Sequence, residues 1–156
     1  MQLFPLRTTL VATFTTACLL FVAWILLIPA GPLLNDANFE YDAISPNADN
    51  LYDVTKVTYT LSQPANVSIF FLDSDGQRYD FRSKKPRQSG EHNLLFSGIV
   101  DGFLKTNDSI EGKIIARVLP DGDYEWVIEA SNQQTREQLT GKLTVNLSDT
   151  AIPDIR

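Results

Sequence analysis

Hydrophobic and polar residues follow two different rules along this chain. From Thr8 to Ile28 the sequence reads TTLVATFTTACLLFVAWILLI, without a charge and without alternation, whereas beyond Asp36 apolar and polar residues take turns with a period of two. As a helix rising about 1.5 Å per residue, the first stretch would extend roughly 30 Å, the thickness of a bilayer's hydrocarbon core. It predicts a single membrane-spanning helix, with Leu10, Phe14, Cys18, Phe21, Trp24 and Ile28 among its anchoring side chains. A cleavable signal peptide competes with this reading, but the apolar run is longer than a signal core and Pro29 disfavours a cut at Ile28-Pro29-Ala30. Acylation of Cys18 is disfavoured because the apolar run continues well past it. Arg7 lies on one flank and Asp36, Glu40 and Asp42 on the other, which orients the long C-terminal part to the periplasmic or extracellular side of the cell membrane. Pro29, Gly31 and Pro32 end the helix. The expected organisation is therefore 1–30 for the cytoplasmic N-terminus and helix, 31–37 for a linker, 38–148 for a folded domain and 149–156 for a tail.

Within the domain the alternation marks strands. Val57, Tyr59 and Leu61 alternate with Lys56, Thr58 and Thr60, the pattern of a half-buried strand. Val67 to Leu72 is a more hydrophobic run, followed by the turn chemistry of Asp73-Ser74-Asp75-Gly76 and then Tyr79 and Phe81 alternating with polar neighbours, which together predict a β-hairpin. Ser83 to Gly90 reads as a basic loop, and Glu91 to Phe96 as another short strand. Ile114 to Leu119, the turn Pro120 to Asp123, a strand carrying Tyr124, Trp126, Ile128 and Ala130, and a last strand lined by Leu139, Gly141, Leu143, Val145 and Leu147 follow. With Asn38 to Ile44 added, about seven short strands separated by turn residues predict an all-β fold, an antiparallel β-sandwich behind one N-terminal transmembrane α-helix. Its expected core is Tyr59, Ile69, Phe71, Phe96, Tyr124, Trp126, Ile128, Leu143 and Val145.

Charge and composition narrow the chemistry. The chain carries 13 basic and 19 acidic side chains, and Arg7 is the only charge before Asp36, so the domain is acidic, which argues against a general affinity for nucleic acid, and no nucleic-acid partner is expected. One cysteine allows no intrachain disulfide and no thiolate cluster. One histidine, His92, would have to serve any Ser-His-Asp relay, and no serine sits in a nucleophile-elbow pattern. No cofactor, no small-molecule substrate and no enzyme activity are expected.

Several phrases occur in the order found in one bacterial family. They are Ser45-Pro46-Asn47-Ala48-Asp49-Asn50-Leu51-Tyr52-Asp53, Tyr59-Thr60-Leu61-Ser62-Gln63-Pro64-Ala65-Asn66-Val67, Asp73-Ser74-Asp75-Gly76, Gly90-Glu91-His92 with Phe96, and Leu119-Pro120-Asp121-Gly122-Asp123-Tyr124. Over roughly residues 39 to 131 the chain resembles the immunoglobulin-like domains related to the C-terminal part of the flagellar hook-capping protein, which also occur as modules on secreted bacterial proteins. Ala48 and Asn50 stand where the family's first motif has glycines, Phe96 where it has tryptophan, and Ile99 to Lys113 reads as an insertion. The resemblance implies a noncatalytic module used in assembly and attachment. The N-terminal span distinguishes the chain from a hook-cap protein.

Three clusters are candidates for binding. Asn47, Asp49 and Asp53 could offer oxygens to calcium, although the spacing is not that of an EF-hand and an Asx-stabilised loop explains the same residues. Arg78, Arg82, Lys84, Lys85 and Arg87 form the only dense basic patch, suited to anionic head groups or an acidic partner, or simply to a solvated loop. Phe103 and Leu104 in the insertion would either present an exposed apolar pair to a partner or cover a sheet edge. Asp121 and Asp123 sit in a turn that the fold itself explains. The best-supported function is an accessory subunit of a larger bacterial membrane complex, such as an electron-transfer or transport assembly, with other membrane-protein subunits and the lipid bilayer as partners. The alternative is an independent surface module that binds carbohydrate or cell-wall polymer. An envelope enzyme centred on His92 is a distant third.

Overall fold

The computed structural model describes Cys18, residues 31–104 and residues 112–147. The expected span at Thr8–Ile28 lies outside the described residues except for Cys18, which is helical and exposed. Among the described residues no helix is long and apolar enough to cross a membrane. The expected tail, 149–156, also lies outside them.

The domain is all-β. Its strands are β1 (Leu34–Phe39), β2 (Ala43–Ile44), β3 (Thr55–Leu61), β4 (Ala65–Leu72), β5 (Arg78–Arg87), β6 (Gly90–Phe96), β7 (Ile99–Asp101), β8 (Ala116–Val118), β9 (Gly122–Ser131) and β10 (Arg136–Val145). One sheet has the order β1-β3-β6, a second β2-β10-β9-β4-β5, and β7 pairs with β8 alone. All pairings are antiparallel except that of β2 with β10, which is parallel.

The strands form where the sequence alternates, because a pleated backbone sends successive side chains to opposite faces. In β3 Thr55, Val57, Tyr59 and Leu61 point inward and are buried. In β4 the outer face is buried too: Phe70 lies beneath the Arg78 guanidinium, 3.6 Å from the ring centroid, and Ser68 accepts the Lys84 N–H at 3.0 Å. The inner faces of the two large sheets meet in one core. Phe71 and Phe96, from opposite sheets, stack with centroids 4.5 Å apart, and Phe39 stacks on Trp126 at 5.0 Å and meets Phe71 edge-on at 6.0 Å. Full burial of an aromatic or aliphatic side chain of this size contributes about 1.5–3 kcal/mol, so this cluster dominates the stability of the domain. All nine side chains expected in the core are buried.

The fold has ten strands where about seven are expected, with β7 at the start of the expected insertion Ile99 to Lys113, and it departs from the sequence reading in four further places. Residues 31–37, taken as a linker, contain most of β1, and Leu33 and Leu34 are 3% exposed within the core. The run Asn38 to Ile44, taken as one strand, is split: Phe39 ends β1 on the first sheet, the chain crosses at Tyr41, and Ala43–Ile44 joins the second sheet beside Thr144 and Val145. A segment that changes sheets buries only its ends, which blurs its alternation. Residues 83–87 are not a loop but the second half of β5. They are polar on both faces because β5 is an edge strand, and two bulges opposite β4 break its register. The last strand, expected to reach Leu147, ends at Val145; in β10 only Leu143 and Val145 are buried, Leu139 is 36% exposed, and Leu147 beyond the strand is 37% exposed.

Candidate functional site

Sheet geometry defines two ends. Leu34 pairs with Leu61, Leu61 with Gly90, and Ala65 with Arg87, so the point at which the chain enters the fold shares an end with the β3–β4 and β5–β6 turns; we call this the near end. Thr55 pairs with Phe96 and Leu72 with Arg78, which places the loop before β3 and the β4–β5 turn at the far end. Thr55 and Leu61, at the two ends of β3, are about 20 Å apart at 3.4 Å per residue.

The loop between β2 and β3 lies at the far end and is built around Asp53. Its Oδ1 accepts the N–H groups of Asn47 at 3.1 Å and Ala48 at 2.9 Å, and its Oδ2 accepts that of Asn50 at 2.8 Å. Asp49 Oδ1 accepts the Leu51 N–H at 2.7 Å, Asn47 Oδ1 accepts that of Asp49 at 3.0 Å, and the Ser45 N–H closes the loop on the Tyr52 carbonyl at 2.9 Å. The oxygens of Asn47, Asp49 and Asp53 therefore face amide protons, the Asx arrangement, and among the described residues no three His, Cys, Asp or Glu side chains gather so as to hold a metal ion.

This bonding holds the backbone in a conformation that is unfavourable for L-residues. Ala48, Asn50 and Tyr52 have φ of +67°, +69° and +56°. Asparagine tolerates this region, but alanine and tyrosine enter it at a cost of about 1–2 kcal/mol. The result is an apolar cap. Leu51 is 65% and Tyr52 51% exposed, the Tyr52 ring meets Tyr41 edge-on at 5.2 Å, and Val54 adds to the same loop. Pro46 anchors the loop's base against Gly98, where an added Cβ would come within 2.8 Å of the proline ring. Leu51, Tyr52 and Tyr41 were missed as candidates in the sequence because their exposure depends on the loop's positive-φ path, which no alternation pattern encodes.

Of the basic residues, Arg78 stands apart, whereas Arg82, Lys85 and Arg87 line one cleft. Arg78, at the far end, is bound by Asp80 at 2.6 Å and covers Phe70. Arg82 donates to the Phe81 carbonyl at 2.9 Å and stacks on its own neighbour's ring, 4.1 Å from the Phe81 centroid. Lys84, in the bulge at φ +45°, Lys85 and Arg87 occupy the near-end half of β5. Arg87 is half-buried and hydrogen-bonds Tyr59, whose hydroxyl burial nonetheless pushes above its ordinary pKa. Between the edges of β5 and β6 a cleft lined by Tyr59, Ile69, Arg82, Lys85 and Arg87 leaves no room for a water molecule. An open hollow beside it is lined by Phe81, Arg82, Ser83, Lys85 and Asp101.

Phe103 is partly buried, edge-on to Tyr79 at 4.9 Å, with Arg117 over its ring at 5.6 Å, so it covers the core beside β5; Leu104, 76% exposed, does not. The pair proposed from sequence is thus divided between packing and solvent. His92 stacks on Tyr59 at 5.1 Å, and its Nε2–H donates to the Gln88 carbonyl at 2.7 Å. Asp121 accepts the Leu147 N–H at 2.6 Å and Asp123 the Thr144 hydroxyl at 2.7 Å, so both turn carboxylates tie down β10. Tyr124, at the start of β9, donates its hydroxyl to the Pro120 carbonyl at 2.8 Å; burial, with the acidic groups Tyr79, Asp73 and Asp121 nearby, raises its pKa to about 12.

No family model matches the chain, and no curated protein matches it in sequence.

Proposed function

We propose that the chain is a noncatalytic, membrane-anchored accessory subunit of a larger bacterial membrane complex, whose immunoglobulin-like domain meets partner proteins through the far-end loop between β2 and β3. The immunoglobulin-like reading draws support from the strand arrangement, with β3 between β1 and β6 and β9 between β4 and β10. It draws further support from Tyr124, which bonds back to Pro120 at the start of β9 as the tyrosine corner of such domains does. The left-handed backbone at Ala48 and Asn50, where the hook-cap-related family carries glycine, points the same way.

The observation that carries the functional reading is the rigid apolar cap. Exposing Leu51 and Tyr52 on a strained loop, fixed by side-chain-to-amide bonds, disfavours folding and favours binding, because a pre-ordered surface loses little entropy on association. Aromatic anchors of this kind are typical of protein interfaces. An electron-transfer or transport assembly would use such a subunit on its periplasmic or extracellular side.

Purification of the full-length chain in mild detergent tests the proposal. A stoichiometric complex that is lost on Leu51→Asp or Tyr52→Ala, with the melting temperature of the domain retained, is the expected outcome. A monodisperse monomer, or a complex indifferent to both substitutions, would overturn it. Binding to a glycan panel by the same loop would favour the surface-module alternative.

A further inference from the structure

The strand topology sorts charge by end. At the far end stand Asp42, Asp49, Asp73, Asp75, Asp121 and Asp123, and Arg78 there is already bound to Asp80. Toward the near end lie Lys84 and Lys85, both exposed, and the half-buried Arg87. The near end is closer to balance: Glu91, Glu129, Glu137 and the exposed Asp36 stand against Lys84, Lys85, Arg87 and Arg136, with Glu129 holding Arg136 at 2.5 Å and Glu137 accepting the Leu34 N–H at 3.0 Å, and Asp101 lines the hollow beside Lys85. Among the described residues neither Lys84 nor Lys85 forms an ion pair.

The near end is also where the chain comes from. Leu33 is already buried in the core, so the tether from Ile28, the last residue of the apolar stretch, has only four residues, Pro29 to Pro32, and five Cα-to-Cα steps. Fully extended it spans at most about 18 Å. If the apolar stretch ends at a bilayer surface, the near end is held within one or two screening lengths of it, each about 8–10 Å at ordinary ionic strength.

We infer that the domain stands near end down on an anionic bilayer, with Lys84 and Lys85 at the head-group phosphates and the acidic far end turned away. The inference rests on reading Thr8–Ile28 as the membrane span. The two lysines have a second role that must be separated from this one: together with Pro86 and the two bulges they guard the exposed edge of β5 against pairing with another strand. A charge of either sign guards an edge. Only a positive charge draws it to phosphate.

The test uses the full-length chain in bilayers, with Cys18→Ala and a fluorophore on Ser89→Cys in the β5–β6 turn or on Ser74→Cys in the β4–β5 turn, and a quencher carried on lipid head groups. In bilayers containing phosphatidylglycerol, the label at 89 is expected to be quenched several-fold more than the label at 74. High salt, pure phosphatidylcholine or the pair Lys84→Glu and Lys85→Glu should each weaken that quenching, with the melting temperature of the charge-reversed protein unchanged. Equal quenching at 89 in neutral and anionic bilayers, or in the charge-reversed protein, would overturn the inference, because the tether alone would then set the distance. Release of the protein from vesicles by alkaline carbonate would instead overturn the membrane-span reading on which it rests.

Discussion

Ala48 and Tyr124 show how single residues set the energy of the far end. Ala48 adopts φ +67° only because Asp53 fixes its amide. Replacing it by glycine relieves roughly 1–2 kcal/mol of left-handed strain against about 0.4–1 kcal/mol of added unfolded-chain entropy. Ala48→Gly should therefore stabilise the domain by roughly 0.5–1 kcal/mol, seen as a rise of a few degrees in thermal unfolding, about 4 °C at this size. Asn50→Gly should gain less, because asparagine tolerates the same conformation. Tyr124 carries a pH signature. Its pKa of about 12 lies above the ordinary value of 10.0, so between those values the unfolded chain has released a proton that the folded chain retains. Stability contributed by this group is complete below pH 10 and is lost as pH rises toward 12, by on the order of 2–3 kcal/mol. Tyr59 and Tyr79, both raised by burial, act in the same direction. Urea midpoints measured across this range should fall less steeply for Tyr124→Phe than for the wild type. At neutral pH that variant should be weaker by about 1 kcal/mol through loss of the bond to Pro120.

At the scale of elements, the sequence is most readable where a strand is buried on one face. β3, β4, β9 and the Leu143–Val145 end of β10 sit in the middle of their sheets, and their alternation names the core side chains directly. Legibility fails at the edges. In β1, the mostly polar run Asn35-Asp36-Ala37-Asn38 contains a register shift, with Asp36 at φ +53°, and so conceals Leu34 and Phe39 on either side of it. In β5 the edge position leaves 82–86 exposed on both faces, which in sequence is indistinguishable from a basic loop. The loop at 45–53 was legible as an Asx-rich turn. That its oxygens accept amide protons, and that Leu51 and Tyr52 are left outside, depends on a backbone path set by three-dimensional bonding. The contact between β9 and β10 is equally invisible in sequence. Gly141 pairs with Trp126, and a Cβ placed on it would come within 2.3 Å of the indole. Since the contacting atoms belong to a ring packed on Phe39, they have no free direction in which to move. Gly141→Ala should cost about 1–3 kcal/mol of stability and shift the tryptophan emission, because the indole must leave its site.

At the scale of the whole molecule, the question is where the folded unit begins. Read from sequence, the domain starts at Asn38 behind a linker at 31–37, and a soluble fragment would be cut near Asp36. The structure places the boundary earlier. The compact unit runs from Pro32, Leu33 and Leu34 are buried, the Ser62 N–H donates to the Leu33 carbonyl at 3.0 Å, and the Leu34 N–H donates to Glu137 on β10 of the other large sheet. A fragment beginning at Asp36 discards both leucines, worth about 1.5–3 kcal/mol each, and exposes the inner face of β3 that they cover. It also leaves the near-end part of β3 as an unpaired edge, open to pairing with another chain. A fragment beginning at Gly31 retains all of these. Compared under the same conditions, the longer fragment should unfold cooperatively with a stability several kcal/mol above the shorter one, which should aggregate on mild heating. Equal urea midpoints for the two would show that Leu33 and Leu34 contribute nothing to the core. In that case the short tether argued for the near end would lengthen by the same residues, and the domain would be free to turn its acidic end toward the surface.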